Sequence, residues 1–183
     1  MPPEASLATQ PQRSRIAALQ WARQWIERLD ARLLLEFVTG CSATTLIAHP
    51  DILLNEAEVA RFEALVRRRR AGEPLAYLIG TAGFFGELFI VSPAGLVPRP
   101  ETEDLVTWAL SLLEGIEAPR VADLGTGSGA IALALAGQRP DARVLAIDVS
   151  ADAIAVASAN RDRLGRGHVE FRCASWFDGY ADT

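Results

Sequence analysis

The residues with the clearest capacity for chemistry form a glycine-rich turn in the second half of the chain, Asp123-Leu124-Gly125-Thr126-Gly127-Ser128-Gly129. A short apolar run, Val121-Ala122, precedes this turn, and an alanine- and leucine-rich run over residues 130–136 follows it. Because glycine has no Cβ, three alternating glycines permit a sharp turn and a close backbone approach to a ligand. The pattern predicts a buried strand, a ligand-binding turn and a buried helix.

A second acidic position follows about nineteen residues after Gly129. There the apolar run Val144-Leu145-Ala146-Ile147 ends in Asp148. In nucleotide-binding folds, an acid at the end of the second strand accepts hydrogen bonds from ribose hydroxyls. The glycine turn and the spaced acid together predict a nucleoside site.

The spacing of the glycines indicates which cofactor is bound. Dinucleotide folds use G-x-G-x-x-G and rest a pyrophosphate on the helix N-terminus, whereas this turn has G-x-G-x-G after the acid Asp123. An acid there would repel a pyrophosphate but suits S-adenosylmethionine, which has an ammonium, a sulfonium and no phosphate. We therefore expect an S-adenosylmethionine site, with S-adenosylhomocysteine as product, rather than a dinucleotide site or a structural turn. The predicted ligands are Asp123, Gly125, Thr126, Gly127, Ser128, Gly129 and Asp148.

Composition narrows the class of protein. The chain has 183 residues, about half of them apolar, and a formal net charge of −5. This length suffices for one core of ordinary size, or for a small domain plus part of another. The negative charge argues against bulk electrostatic binding to nucleic acids. The one basic cluster, residues 67–70, closes a predicted helix, so we favour a solvated helix end over an RNA contact.

The chain shows no apolar segment long enough to span a membrane and no signal-peptide core at its start. Cys41 and Cys173 are far apart, which favours a reducing compartment, and we expect both to be small core residues. We therefore predict a cytoplasmic protein. His49 and His168 lack metal-ligand spacing with these cysteines, so we expect no metal.

The first seventy residues have a helical pattern. Apolar residues recur near the three-and-four spacing of an amphipathic helix and are expected to form a core. They are Ile16, Leu19, Ile26, Leu29, Leu33 and Phe37. Asn55, with Glu58 three residues later, forms a capping-box pattern that predicts the start of a later helix. We expect this helix to end at Gly72. We predict a small domain of three to five helices.

Between Gly72 and Pro100 the sequence has short runs of β-prone residues interrupted by glycine and proline. This pattern predicts a β-hairpin connector. The runs are 75–79, 84–85, 88–91 and 96–97. Pro98-Arg99-Pro100 then leads into an acid-rich helix start that includes Glu101 and Thr102. Helix N-terminal chemistry explains these acids, and a role for Arg99, Pro100, Glu101 and Thr102 in a cofactor or substrate loop stays equally open.

The rest of the chain has an α/β pattern. Ser150 is a good N-cap for a helix through Arg163, and residues 169–173 predict a third strand. Ligands of open α/β sheets lie at the carboxyl ends of the strands, so the loop over 174–178 is expected near the glycine turn. There Trp176 either stacks on an adenine or caps the core, and we favour the ligand role.

Three segments resemble the bacterial protein-glutamine N-methyltransferases that modify peptide-chain release factors, the PrmC or HemK family. They are Gly72-Glu73-Pro74-Leu75-Ala76-Tyr77-Leu78-Ile79-Gly80, Val97-Pro98-Arg99-Pro100-Glu101-Thr102-Glu103 and residues 123–130. The resemblance implies a helical substrate-recognition domain (1–72), a β-hairpin linker (73–100) and the first half of a class I, Rossmann-like methyltransferase domain (101–183). It implies methylation of the glutamine side-chain amide in a release factor's Gly-Gly-Gln motif, with Asp148 holding the ribose and Trp176 bordering the adenine. We expect a monomer.

Members of this family carry Asn-Pro-Pro-Tyr as the catalytic motif, and these four residues do not occur in the 183. We therefore expect a fragment or shortened form of the enzyme that lacks catalytic residues and leaves the edge of its first sheet strand open. Two alternatives stay open: a non-catalytic module that binds cofactor or partner, and a related methyltransferase acting on nucleic-acid bases. A nicotinamide dehydrogenase is disfavoured by the glycine spacing.

Overall fold

The computed structural model describes residues 13–176 and 178. The chain divides into two compact units, the first ending at Ile79 and the second beginning at Gly80. The hairpin therefore belongs to the second unit. The functional division at residues 72 and 100 stays a prediction.

Over residues 13–79, the described part of the first unit, five helices form a bundle. They are α1 (Arg15–Ala22), α2 (Arg28–Thr39), α3 (Ala43–Ala48), α4 (Glu56–Arg70) and α5 (Leu75–Ile79). Helix α4 begins with the predicted capping box: the Asn55 side chain accepts from the Glu58 amide at 2.9 Å, and the Glu58 carboxylate accepts from the Asn55 amide at 2.8 Å. Both bonds satisfy amides that the first helical turn leaves without a partner.

The core of the first unit is formed by Trp21, Leu34, Leu35, Phe62 and Val66, with smaller residues between them. For two residues, the prediction that they lie in this core is wrong. Ile16 is 42% exposed and Leu29 is 55% exposed. Each helix buries only one face, and the chain bends between α1 and α2, so a single helical period drawn through both cannot identify that face.

The strand predicted over Leu75–Ile79 is also wrong, because this run is helix α5. Pro74 precedes it, and the carbonyl of Pro74 accepts from the amides of Tyr77 and Leu78. Proline fits the start of a helix. Leu78 is buried in the core of the first unit, so packing on the bundle decides the conformation of a run too short for its period to do so.

The four consecutive arginines at the end of α4 contact other side chains of the first unit. Arg67 pairs with Glu63, Arg68 with Glu73, and Arg69 with Asp30 at 2.6 Å. The Arg70 guanidinium lies 4.2 Å from the centre of the Trp25 ring. These contacts agree with a structural helix end rather than a free basic surface.

The second unit begins with an antiparallel hairpin, β1 (Thr81–Phe84) and β2 (Glu87–Ile90). Phe85 and Gly86 form its turn with φ of 49° and 76°, and two positive φ values are typical of a two-residue hairpin turn. The Phe85 amide donates to the Glu103 carboxylate at 2.8 Å. Residues 96–97, predicted as a strand, lie in a loop.

Among the described residues, the sheet has three parallel strands. Their order is β3 (Arg120–Leu124), β4 (Arg143–Asp148), β5 (Glu170–Cys173). Helix α7 (Ala130–Gln138) joins the first two strands, α8 (Ala151–Arg163) joins the last two, and α6 (Thr102–Leu112) precedes the sheet. Ser150 caps α8 through the Ala153 amide, as predicted. In the part of the chain that the structure describes, β3 pairs only with β4.

Buried residues of α7 and the sheet form the core of this unit with Phe84, Phe89 and Val106. Cys173, which we expected in a core, is exposed at the end of β5, and Cys41 is half-buried. Both thiols are free. Within residues 13–176 and 178, no helix is long and apolar enough to cross a membrane.

Candidate functional site

The glycine turn joins β3 to α7 at the carboxyl end of the sheet. Gly125, Gly127 and Gly129 have φ of 82°, 56° and 79°, values that glycine adopts without steric cost. At Gly129 the space is closed as well, because a Cβ there would lie 3.0 Å from Phe171 and 3.1 Å from Ala157. The turn therefore depends on glycine for both its conformation and its packing.

The amides of the turn donate hydrogen bonds within the protein. Those of Gly125 and Thr126 donate to the Ile147 carbonyl at 2.8 and 2.9 Å, and that of Gly129 donates to the Thr126 carbonyl at 2.9 Å. The Gly127 amide donates to the Asp148 carboxylate at 2.9 Å. A turn that cradles phosphate instead aims its amides at the ligand, so this geometry suits a nucleoside without phosphate.

Asp148 ends β4 and reaches the glycine turn from the neighbouring strand. Its Oδ2 accepts from Gly127, and its Oδ1 accepts from the Ser150 amide at 2.9 Å. Each carboxylate oxygen has two lone pairs, so this carboxylate can accept further hydrogen bonds. Asp148 is half-buried at the wall of a cavity. Its role as an acceptor of ribose hydroxyls stays a prediction.

The Asp123 carboxylate, near the end of β3, accepts hydrogen bonds from neighbouring residues of the second unit. Its Oδ2 accepts from the Thr126 hydroxyl at 2.7 Å and from the Ala132 amide at 3.2 Å. Burial raises the pKa of Asp123, and these two hydrogen bonds oppose that rise. The carboxylate thus ties the glycine turn to the first turn of α7.

A cavity of about 340 Å³ lies against the glycine turn, within the second unit. One wall is formed by the turn and Asp148, and the other by the loop after the hairpin. Its lining comprises Phe84, Gly95, Leu96, Val97, Pro98, Arg99, Thr102, Gly125, Thr126, Gly127, Ser128, Ala130, Ile131 and Asp148. A volume of this size, with an apolar wall and a few polar groups, is typical of a small-molecule site.

The structure brings most of the predicted site residues together at this cavity. Arg99 and Thr102 line it, while Asp123, Gly129, Pro100 and Glu101 are outside its described lining. Trp176 has a φ of 50° and a side chain 71% exposed, also outside that lining. A contact between Trp176 and the adenine stays a prediction.

Sequence reasoning missed Leu96, Val97 and Ile131 as walls of the cavity, and Asn160 behind it. Asn160 is fully buried on α8 and bonds to both Ile90 and Ser128. It shares the buried face of α8 with Ala153 and Ala157. One amide on an otherwise apolar helix face is the signal in the sequence that could have identified it.

Two protein-family models match the chain, a PrmC N-terminal domain over residues 16–80 and a methyltransferase domain over residues 117–182. With the parallel sheet and its glycine turn, the second match shows that residues 117–182 are similar to an α/β methyltransferase domain. A release factor glutamine methyltransferase of Xylella fastidiosa (strain Temecula1) is 50% identical over 165 residues. Over most of its length the chain is therefore similar to proteins named release factor glutamine methyltransferase.

Other relatives of that name are similar. The one from Burkholderia pseudomallei is 47% identical over 157 residues, with 83% of this chain and 55% of the relative covered. The one from Escherichia coli K12 is 42% identical over 170 residues, covering 88% and 61%. The Xylella match covers 90% and 60%, so the chain spans about 60% of the length of these relatives.

A solved structure, coclaurine N-methyltransferase bound to N-methylheliamine and SAH, matches 88% of this chain and 49% of that chain. The TM-score is 0.41 and the identity 15%. A likeness this distant carries no conclusion about the fold or the site.

Proposed function

We propose that the cavity beside the glycine turn binds S-adenosylmethionine. We further propose that the whole protein uses it to methylate the glutamine side-chain amide in the Gly-Gly-Gln motif of peptide-chain release factors. The observation that carries the first proposal is the bond between Asp148 and the Gly127 amide. It puts a negative charge, rather than free amides, on the wall where a dinucleotide would need to hold phosphate.

The lining of the cavity fits the parts of this cofactor. The carboxylate of Asp148 can accept from the ribose hydroxyls through its remaining lone pairs. Leu96, Val97 and Ile131 offer apolar contact to an adenine. Arg99 supplies a cation that complements a carboxylate. When bound, the cofactor supplies an electrophilic methyl group on a sulfonium.

The substrate proposal rests on the names of the relatives. An amide nitrogen is a weak nucleophile because its lone pair is delocalised into the carbonyl, so transfer to it depends on positioning and electrostatics. We assign to this chain the part of the reaction that holds the cofactor. The step at the amide, in which an N–C bond forms as an S–C bond breaks and the nitrogen loses a proton, belongs to the whole protein.

The role of the helical unit is also a proposal. Relatives named release factor glutamine methyltransferase share this region with the chain. We propose that residues 1–72 help to hold the release factor, while residues 101–183 hold the cofactor together with the loop over residues 95–99. The release factor is then the partner, and no nucleic-acid contact is required.

Calorimetric titration of the chain tests the cofactor proposal. S-adenosylhomocysteine should bind saturably and raise the thermal midpoint, because a ligand that binds only the folded state stabilises it. NAD⁺ and ATP, which carry phosphates on the same adenosine, serve as matched control ligands and should bind far more weakly. Equal binding of NAD⁺, or no binding of S-adenosylhomocysteine by the folded chain, would contradict the proposal.

A further inference from the structure

The outer edge of strand β2 is covered by side chains of helix α8. In the hairpin register, the backbone groups of Leu88 and Ile90 point away from β1. The Arg163 guanidinium donates to the Leu88 carbonyl at 2.7 Å, and Asn160, one turn earlier on the same face of α8, bonds to Ile90. Helix α8 thus covers the edge where another strand would otherwise pair.

The side-chain amide of Asn160 forms the same pair of hydrogen bonds with the Ile90 backbone that a neighbouring strand would form. Its Oδ1 accepts from the Ile90 amide at 2.7 Å, and its Nδ2 donates to the Ile90 carbonyl at 2.9 Å. The residue is fully buried, so these bonds form away from water, where an unmade bond is costly. The side-chain amide is suited to this place because it carries both a donor and an acceptor.

The second hydrogen of the same Nδ2 is donated to the Ser128 carbonyl at 2.9 Å. Ser128 belongs to the glycine turn that lines the cavity. Ile90 ends β2, and four residues separate it from the segment that forms the opposite wall, Gly95 to Arg99. A single buried amide group therefore connects the glycine turn to the strand that precedes the opposite wall.

We infer that Asn160 is a positioning residue for the cofactor site, which sets the orientation of the glycine turn relative to the loop over residues 95–99. This inference rests on the proposed function, since it assigns Asn160 to the site that holds the cofactor. Asn160 is not among the described residues that line the cavity, so it acts through Ser128 and Ile90.

The variant Asn160→Asp has nearly the same size but cannot donate to both carbonyls. We expect it to bind S-adenosylhomocysteine about tenfold more weakly or worse, the effect of losing a buried hydrogen bond. Arg163→Ala is the matched control, because Arg163 contacts the same edge of β2 but not the glycine turn. Its affinity should stay within about twofold of the parent's.

Loss of stability must be separated from loss of positioning. Val106→Ala removes a fully buried side chain from the core of the same unit and should lower stability without lowering affinity in the folded protein. Hydrogen exchange supplies a second readout: the Gly127 amide should exchange faster in Asn160→Asp than in Val106→Ala, both measured without ligand. This comparison tests the positioning even where S-adenosylhomocysteine binding fails in the parent.

Two results would overturn the inference. One is a folded Asn160 variant whose affinity and turn exchange both match those of the parent. The other applies if Asn160→Asp and Asn160→Ala do not fold: the Ile90 amide of the parent should be among its slowly exchanging amides, and rapid exchange there would show that the bond to Asn160 is not maintained.

Discussion

The Asp148 carboxylate and the Gly127 amide are joined by a hydrogen bond of 2.9 Å between neighbouring strand ends. The bond links the end of β4 to the middle of the turn after β3. It fixes the acid that we propose for ribose binding against the turn that we propose for the rest of the cofactor. Changes at Asp148 should therefore affect the ligand and the turn together.

The variant Asp148→Ala should lower the affinity for S-adenosylhomocysteine by about tenfold or more, because it removes the charged acceptor of the ribose hydroxyls. Calorimetric titration measures this. Asp152→Ala is the control, since Asp152 is an exposed acid in the first turn of α8 and should bind like the parent. Equal affinities of the parent and Asp148→Ala would show that Asp148 does not contribute to ligand binding.

The variant Asp123→Asn should gain stability relative to the parent as pH rises. Burial raises the pKa of Asp123, so the native state holds this proton more tightly than the unfolded chain. Stability therefore falls as pH rises from the ordinary aspartate value through the raised pKa, and stays lower above it. Urea unfolding at a series of pH values measures the difference, which should vanish at acidic pH.

Asp141 should show the opposite sign. Its hydrogen bonds with Arg139 lower the pKa of Asp141 to about 2. The stabilisation is therefore present above the ordinary aspartate pKa and is lost as pH falls through about 2. Asp141→Asn should be less stable than the parent at neutral pH, with the gap closing in acid; a constant gap across that range would contradict this assignment.

The variant Gly129→Ala should destabilise the second unit by about 2–4 kcal/mol, because φ is positive there and the new methyl would meet Phe171 and Ala157. Gly83→Ala is the matched control, since nothing lies within 4 Å of the Cβ position at Gly83. That substitution should be neutral or slightly stabilising. Chemical unfolding monitored by far-UV circular dichroism distinguishes the two.

The variant Asn55→Ala should cost the helical unit about 1 kcal/mol, because it removes one half of the capping box at the start of α4. Asn55→Ser retains a side-chain acceptor and should recover most of that loss. Unfolding by urea measures both, and equal stability of Asn55→Ala and the parent would mean that the cap contributes nothing.

Elements with two agreeing local signals could be predicted from the sequence. Helix α8 begins after the N-cap Ser150 and is followed by Gly165 and Gly167. The glycine turn lies between a strand pattern and a helix pattern. Residues 75–79 could not be assigned, because five apolar residues fit a helix or a strand and only contacts with the bundle decide.

The role of Asn160 could not be predicted for a different reason. Its partner Ile90 lies seventy positions away in the sequence, and no local pattern connects them. The exposure of Ile16 and Leu29 likewise depends on how α1, α2 and α3 are placed. Local chemistry predicts turns and caps, whereas the tertiary arrangement decides which side chains meet.

The loop after the hairpin approaches the glycine turn at Gly95. A Cβ placed on Gly95 would lie 3.5 Å from the Cα of Gly127, which is ordinary van der Waals contact. Neither residue has a side chain whose rotamer could change the width of this gap. Rotamer changes take picoseconds to nanoseconds, whereas backbone loop displacements are slower. Any widening of this gap would therefore require the slower backbone displacement.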